Sequence, residues 1–227
     1  MELLTHVELC TGPDPRGTLI WLHGLGADGW DFVPIVRELG LDEDLPLRFV
    51  FPHAPMRPVT INNGQVMRAW YDIAMADIGR LPDAKGIRES QAQVEAFIAH
   101  EVRRGMEPGR IVLAGFSQGG AIALHTGLRH PQALSGILAL STYLPFAETL
   151  DREAADANGH VPIFMAHGTQ DPVIPLALAE SSRRALEARG HAPQWHTYPM
   201  PHSVCAEEVD AIAGWLRDRF ASRIALA

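Results

Sequence analysis

The residues best suited to chemistry are grouped around a serine between glycines, Gly115-Phe116-Ser117-Gln118-Gly119. This stretch follows the apolar run Ile111–Ala114 and opens a helix-like segment that extends to about Arg129. A G-x-S-x-G sequence between a strand and a helix is typical of a nucleophile elbow, a sharp turn that holds the serine hydroxyl clear of the sheet. The pattern predicts that Ser117 is a nucleophile. An ordinary helix-capping serine after a glycine-rich strand end is the alternative.

A serine nucleophile needs a general base that is oriented by a third group. In the elbow architecture the chain order is serine, then an acid, then histidine. Asp171 follows the predicted strand Val161–Ala166, and His202 follows the predicted strand Gln194–Tyr198. The other acids after Ser117 lie in a polar loop or on a helix, and two other histidines lie before or within the last strand. We therefore predict Asp171 as the orienting acid and His202 as the general base.

An oxyanion formed in acyl transfer needs backbone N–H donors. The helix start at Gln118 supplies one, and the glycine-rich stretch His23-Gly24-Leu25-Gly26 after the predicted strand Thr18–Leu22 supplies another. Glycine there allows the backbone to approach a substrate closely. The main-chain amides of Leu25 and Gln118 are therefore the predicted oxyanion hole.

The same loop carries a competing motif, because Gly24–Gly29 matches the dinucleotide fingerprint G-x-G-x-x-G. That interpretation also requires an acidic residue at the end of the next strand, to hold a ribose hydroxyl. The next predicted strand, Arg48–Phe51, ends in proline, and the nearby acids at 42–44 precede it. The sequence thus disfavours a dinucleotide-dependent oxidoreductase. A bound chromophore in the purified protein would support that hypothesis again.

Apolar runs alternate with helix-periodic segments along the whole chain, which predicts a mostly parallel central sheet with helices on both faces. Helices are expected over Phe32–Leu39, Ile87–Arg104, Gln118 to about Arg129, Leu176–Arg189 and Val209–Phe220. Chemistry belongs at the carboxyl ends of the strands in such a sheet. The length suits a single domain over residues 1–227, with an irregular excursion at about 53–86 as a wall or flap beside the site.

The composition of the chain argues against several classes of binding partner and site. Nineteen basic and 27 acidic residues give a net charge of -8, which argues against nucleic acid and against stable anchoring on anionic membranes. No apolar run approaches a membrane span, and the N-terminus does not resemble a signal peptide. Two cysteines are too few for a disulfide framework. The histidines lack metal-ligand spacing. A cytoplasmic protein without a metal site is expected.

Five stretches together resemble the carboxylesterase and acyl-protein thioesterase (lysophospholipase-like) branch of the α/β hydrolases. They span nearly the whole chain in the family's order: Trp21–Phe32, Phe51–Ile73, Gly115–Leu124, His167–Pro175 and Met200–Val204. The resemblance implies an α/β-hydrolase fold without a separate cap domain, a triad of Ser117, Asp171 and His202, no cofactor, and a homodimer.

The same resemblance implies an apolar acyl groove beside the excursion, with Trp70 and Ile73 near it and Val173 as a second wall. The expected activity is hydrolysis of carboxylic esters of short to medium acyl chains, and of thioesters, through an acyl-enzyme. An acyl-protein thioesterase or a lysophospholipase is the alternative within the family. A catalytically silent binding protein with the hydrolase fold is the remaining one.

Overall fold

Seven strands form a central sheet in the computed structural model, which describes residues 2–41, 45–74 and 83–221. Numbered along the chain, the strands are β1 (His6–Cys10), β2 (Thr18–Leu22), β3 (Arg48–Pro52), β4 (Met56–Val59), β5 (Gln65–Arg68), β6 (Ile111–Phe116), β7 (Gly136–Leu140), β8 (Ile163–Gly168) and β9 (Gln194–Tyr198). The order across the sheet is β1-β3-β2-β6-β7-β8-β9. Within this seven-stranded sheet, only β1, beside β3, runs antiparallel to its neighbour. The predicted mostly parallel sheet is confirmed.

In the described ranges, six α-helices lie between or after the strands: α1 (Ile35–Glu38), α2 (Ala84–Arg103), α3 (Gln118–Arg129), α4 (Leu150–Glu153), α5 (Leu176–Glu187) and α6 (Ala206–Ala221). Helix α2 begins three residues earlier than the apolar periodicity predicted. The carboxylate of Asp83 accepts a hydrogen bond of 2.9 Å from the Gly86 N–H, which fixes that start. The helix is followed by Gly105 at φ 94°, a left-handed position that suits glycine.

The inner strands of the sheet bury both of their faces, because the helices cover the sheet from two sides. In β2, Ile20 and Leu22 pack into one apolar cluster with α2, α3 and α5, whereas Leu19 and Trp21 pack into the other with α1 and α6. All four side chains are at most 1 % exposed. Successive side chains of β2 point to opposite faces of the sheet, and helices cover both faces. Apolar residues therefore occupy consecutive positions in this strand rather than every second one.

The expected irregular excursion at 53–86 is corrected in its first part, which forms a β-hairpin. Strands β4 and β5 pair antiparallel, with Val59 opposite Gln65. The connection contains Asn63 at φ 55° and Gly64 at φ 75°, and Asn-Gly is a strong hairpin signal that does not depend on sustained hydrophobic periodicity. Residues 75–82 of the excursion lie outside the described ranges.

Within the described ranges, none of the helices is long and apolar enough to span a bilayer.

Candidate active site

Ser117 occupies the turn between β6 and α3, with φ 54° and ψ -120°. Side chains other than glycine rarely adopt this backbone conformation, and holding one there costs about 1–3 kcal/mol. Hydrogen bonds on both sides secure it. The Ser117 N–H donates to Leu140 O at 2.8 Å, and the Thr142 hydroxyl donates to Ser117 O at 2.6 Å. The turn thus has the geometry of the predicted nucleophile elbow.

Glycines flank the turn where backbones meet. A Cβ on Gly115 would lie 2.3 Å from the carbonyl carbon of Gly119, and a Cβ on Gly119 would lie 2.2 Å from Leu22 O. Real Cβ atoms do not approach this closely, and a backbone atom cannot rotate away. The close contact between the start of α3 and the end of β2 therefore requires Gly119.

We expect Gly119→Ala to destabilise the protein by about 3 kcal/mol, because the added methyl group must displace the backbone of β2. The midpoint of urea unfolding measures this change. Gly214→Ala in α6 is the matched control, since a Cβ there meets nothing within 4 Å. It should stabilise the protein by up to about 1 kcal/mol. Equal midpoints for the two variants would contradict the contact described.

Asp171 and His202 meet at the same edge of the sheet, after β8 and β9. The distance between His202 Nδ1 and Asp171 Oδ2 is 2.6 Å. The other carboxylate oxygen, Oδ1, accepts backbone N–H bonds of 2.8 Å from Val173 and 2.9 Å from Ile174. The Asp171 side chain is fully buried, and that of His202 is 15 % exposed. A buried carboxylate with filled hydrogen bonds can hold the imidazole in one orientation.

Two further rings lie next to His202 and Asp171. The ring of Phe116, next to Ser117, lies 4.7 Å from the His202 ring between centroids. The buried His167 lies next to Asp171. Its Nε2 is 2.8 Å from Ile174 O, to which it is hydrogen-bonded, and 3.4 Å from Asp171 Oδ2. Burial is the main cause that lowers the pKa of His167.

The two predicted oxyanion donors lie on segments that approach each other. Gly24, which precedes Leu25, is so close to Ser117 that an added Cβ would lie 3.6 Å from the serine Cβ. Gln118 is the first residue of α3, and the first N–H groups of a helix have no partner within it. The structure thus brings the Leu25 loop and the start of α3 to the side of Ser117.

A buried network that the sequence did not reveal joins these two segments. The side chain of Gln118 accepts from the Trp70 N–H and donates to Tyr71 O, both at 2.7 Å. The indole N–H of Trp70 donates to His23 O at 2.9 Å. His23 and Gln118 are each only 2 % exposed. The 70–71 segment therefore connects the loop after β2 to helix α3, which follows Ser117.

The predicted groove residues fare differently. Trp70 is fully buried and bonded to His23, and its place beside an acyl groove stays a prediction. Ile73 is half-buried against the core. Val173 is 47 % exposed beside the acid. Ile73 and Val173 stay predictions.

The hairpin of β4 and β5 lies against the Leu25 loop. The Gly26 N–H donates to Arg68 O at 2.9 Å, and Met67 Sδ lies 3.7 Å from where a Gly26 Cβ would be. Met56 and Val66 on the hairpin are more than half exposed. The hairpin thus presents exposed apolar side chains beside the Leu25 loop.

Metal-ligating side chains do not cluster in threes in the part of the chain that the structure describes. The polar groups at the strand ends instead suit nucleophilic catalysis, with a serine in an elbow, a histidine paired to an acid, and backbone N–H groups nearby.

Known proteins share this architecture. The family model described as Phospholipase/Carboxylesterase matches residues 7–219. Acyl-protein thioesterase 1 of Neurospora crassa is 42% identical over 216 residues, which is 89% of this chain and 86% of that protein. Carboxylesterase SOBER1 of Arabidopsis thaliana is 32% identical over 207 residues, 90% of this chain and 91% of that protein. The SOBER1 crystal structure superposes with a TM-score of 0.85 over 89% of this chain and 98% of that one.

Proposed function

From the premise that the chain belongs to the phospholipase/carboxylesterase family of α/β hydrolases, we propose that it hydrolyses carboxylic esters and thioesters through an acyl-enzyme on Ser117. The observation that carries this proposal is the 2.6 Å hydrogen bond between His202 and Asp171 at the sheet edge that also presents Ser117. Asp171, His202 and Ser117 follow three different strands, β8, β9 and β6, and only the parallel order of the sheet brings them to one edge.

The first half of the reaction follows from the proton positions. A carboxylate only accepts hydrogen bonds, so the proton of His202 is on Nδ1 and its Nε2 is free to accept the Ser117 proton. The serine oxygen attacks the acyl carbonyl carbon, and the Leu25 and Gln118 N–H groups stabilise the oxyanion. His202 then returns the proton to the leaving alcohol or thiol as the bond to the carbonyl carbon breaks.

Water completes the cycle. It attacks the acyl-serine carbonyl while His202 Nε2 takes its proton, and the same two N–H groups stabilise the second oxyanion. The proton passes to the Ser117 oxygen as the carboxylic acid leaves. Throughout, the Asp171 carboxylate accepts the hydrogen bond from His202 Nδ1–H. It also stabilises the imidazolium that forms between the two proton transfers.

The substrate proposed is an ester or thioester of short to medium acyl chain. The hairpin beside the Leu25 loop has strands of four residues each, which span about 13 Å, so it offers little wall for a palmitoyl chain. A specific observation favours a second candidate, an acyl-protein thioesterase, because the Neurospora crassa relative of that name is 42% identical whereas the plant carboxylesterase is 32% identical.

Rates of hydrolysis across matched ester and thioester series of increasing chain length separate these candidates. We expect kcat/KM to rise over the short chains and to fall before palmitoyl length, for both leaving groups. An optimum at the palmitoyl thioester would support the thioesterase instead. A fluorophosphonate probe gives the control, since it should label Ser117 in the folded protein and fail to label Ser117→Ala. An unlabelled, inactive wild type would indicate a silent binding protein.

We further propose that the protein acts without a cofactor, as a single domain over residues 1–227, in the cytoplasm and as a homodimer. The net charge of -8 supports the absence of nucleic-acid partners and of tight docking on anionic membranes.

A further inference from the structure

His23 is buried beside the proposed oxyanion hole and has no role in the mechanism above. Its Nε2 accepts a hydrogen bond of 3.0 Å from the Ala54 N–H, and its Nδ1 lies 2.7 Å from Gly24 O. A backbone N–H can only donate, so Nε2 carries no proton. The proton of the neutral ring is therefore on Nδ1, which donates to Gly24 O.

That acceptor belongs to the same peptide group as the proposed oxyanion donor. The Gly24 carbonyl and the Leu25 N–H share the trans peptide that joins the two residues. In a trans peptide the C=O and the N–H point in opposite directions, and the group is rigid. A bond that fixes Gly24 O on the side of His23 consequently fixes the Leu25 N–H on the other side.

Glycine makes this restraint necessary. Gly24 and Gly26 flank Leu25, and Gly26 is at φ 78°. Since glycine has wide backbone freedom, the peptide between Gly24 and Leu25 could rotate at little cost unless something held it. The neighbouring carbonyl, His23 O, is fixed by the Trp70 indole, and the Gly26 N–H is fixed by Arg68 O. His23 supplies the restraint on the peptide between them, assisted by the Ala27 N–H at 3.3 Å.

We propose that His23 is a positioning residue for ester hydrolysis, which aims the Leu25 N–H at the oxyanion through its Nδ1–H bond to Gly24 O. This inference rests on the proposed function. Burial supports it, because desolvation lowers the pKa of His23 to about 4 and so keeps the ring neutral, with its proton on Nδ1, at neutral pH.

Two conservative variants separate the two hydrogen bonds of the ring. His23→Asn places an amide N–H at the position of Nδ1, so it keeps the bond to Gly24 O and loses the one from Ala54. His23→Gln places an amide oxygen at the position of Nε2, so it keeps the Ala54 bond and loses the Gly24 one. His23→Asn leaves the buried Ala54 N–H without its partner, and His23→Gln leaves Gly24 O with only the longer bond of 3.3 Å from the Ala27 N–H. Both variants should therefore lower the Tm.

Their activities should differ. We expect His23→Gln to lower kcat by about 10- to 100-fold with little change in KM, somewhat less than the loss of a whole oxyanion donor. His23→Asn, which keeps the bond to Gly24 O, should retain most of the wild-type kcat. The inhibition constant of a trifluoromethyl ketone, which forms an oxyanion on the serine, should rise in His23→Gln by the factor by which kcat/KM falls.

His125→Asn is the control for the loss of a buried histidine. His125 lies in α3, is 2 % exposed and bonds to Gln91 at 3.2 Å, so its replacement should lower the Tm and leave kcat close to that of the wild type. If kcat followed Tm across the variants, or if His23→Gln kept full kcat, the inference would be overturned. Failure of the proposed function looks different, since Ser117→Ala would then retain activity or the wild type would have none.

Discussion

Replacing Ser117 by alanine should lower kcat for ester hydrolysis by about 10⁴- to 10⁶-fold while the protein stays folded. The substitution removes the oxygen that forms the acyl-enzyme and keeps the Cβ, so the elbow retains its hydrogen bonds to Leu140 and from Thr142. The remaining activity comes from water attacking a substrate held by the oxyanion N–H groups.

The measurement is steady-state hydrolysis of a short-chain ester, with circular dichroism and thermal unfolding to show that the variant is folded. Ser181→Ala, an exposed serine in α5, is the matched control and should behave as the wild type. A Ser117→Ala variant with more than about a tenth of wild-type kcat would place the nucleophile elsewhere, because triad knockouts do not retain such rates.

Replacing Asp171 by asparagine should lower kcat by about 10⁴-fold although the two side chains have nearly the same shape. Two backbone N–H groups, of Val173 and Ile174, donate to Asp171 Oδ1, so the single amide oxygen must take that position. The amide NH₂ then faces His202 Nδ1, which can only accept from it. The imidazole proton moves to Nε2, where the ring can no longer take the proton of Ser117.

Asp151→Asn controls for the loss of a carboxylate, since the Asp151 side chain is 71% exposed in a pair with Arg189. Its kcat should be unchanged, because exposed ion pairs contribute little. The double variant Ser117→Ala with Asp171→Asn should be about as slow as Ser117→Ala alone, because the two residues act as a unit. Multiplicative losses would refute the assignment of Asp171.

The sequence was most informative where local pattern and tertiary structure agree. β2 and β9 have the predicted bounds, and Ser117, Asp171 and His202 lie after the predicted strands. β2 was recognisable because a buried parallel strand reads as a continuous apolar run. The serine turn was recognisable because an elbow needs glycine at fixed positions.

Other elements depend on contacts that no local pattern contains. β1 was not predicted, because this edge strand has only five residues and buries only Val7. The two strands of the hairpin have only four residues each and little periodicity. The His23 ring accepts one hydrogen bond from the Ala54 N–H, 31 residues away, and the His23 carbonyl accepts one from the Trp70 indole, 47 residues away. A histidine before Gly24 was visible in the sequence, but its restraint of the Leu25 peptide depends on those distant partners.

The positive φ of Ser117 has an evolutionary consequence. Glycine would adopt φ 54° without the conformational cost that serine carries there, so a chain selected for stability alone would favour glycine at position 117. The fold is thus more stable in a version that has lost its nucleophile, and only selection for turnover keeps the hydroxyl in place. Without selection for turnover, substitution of Ser117 by glycine would give a more stable, inactive protein.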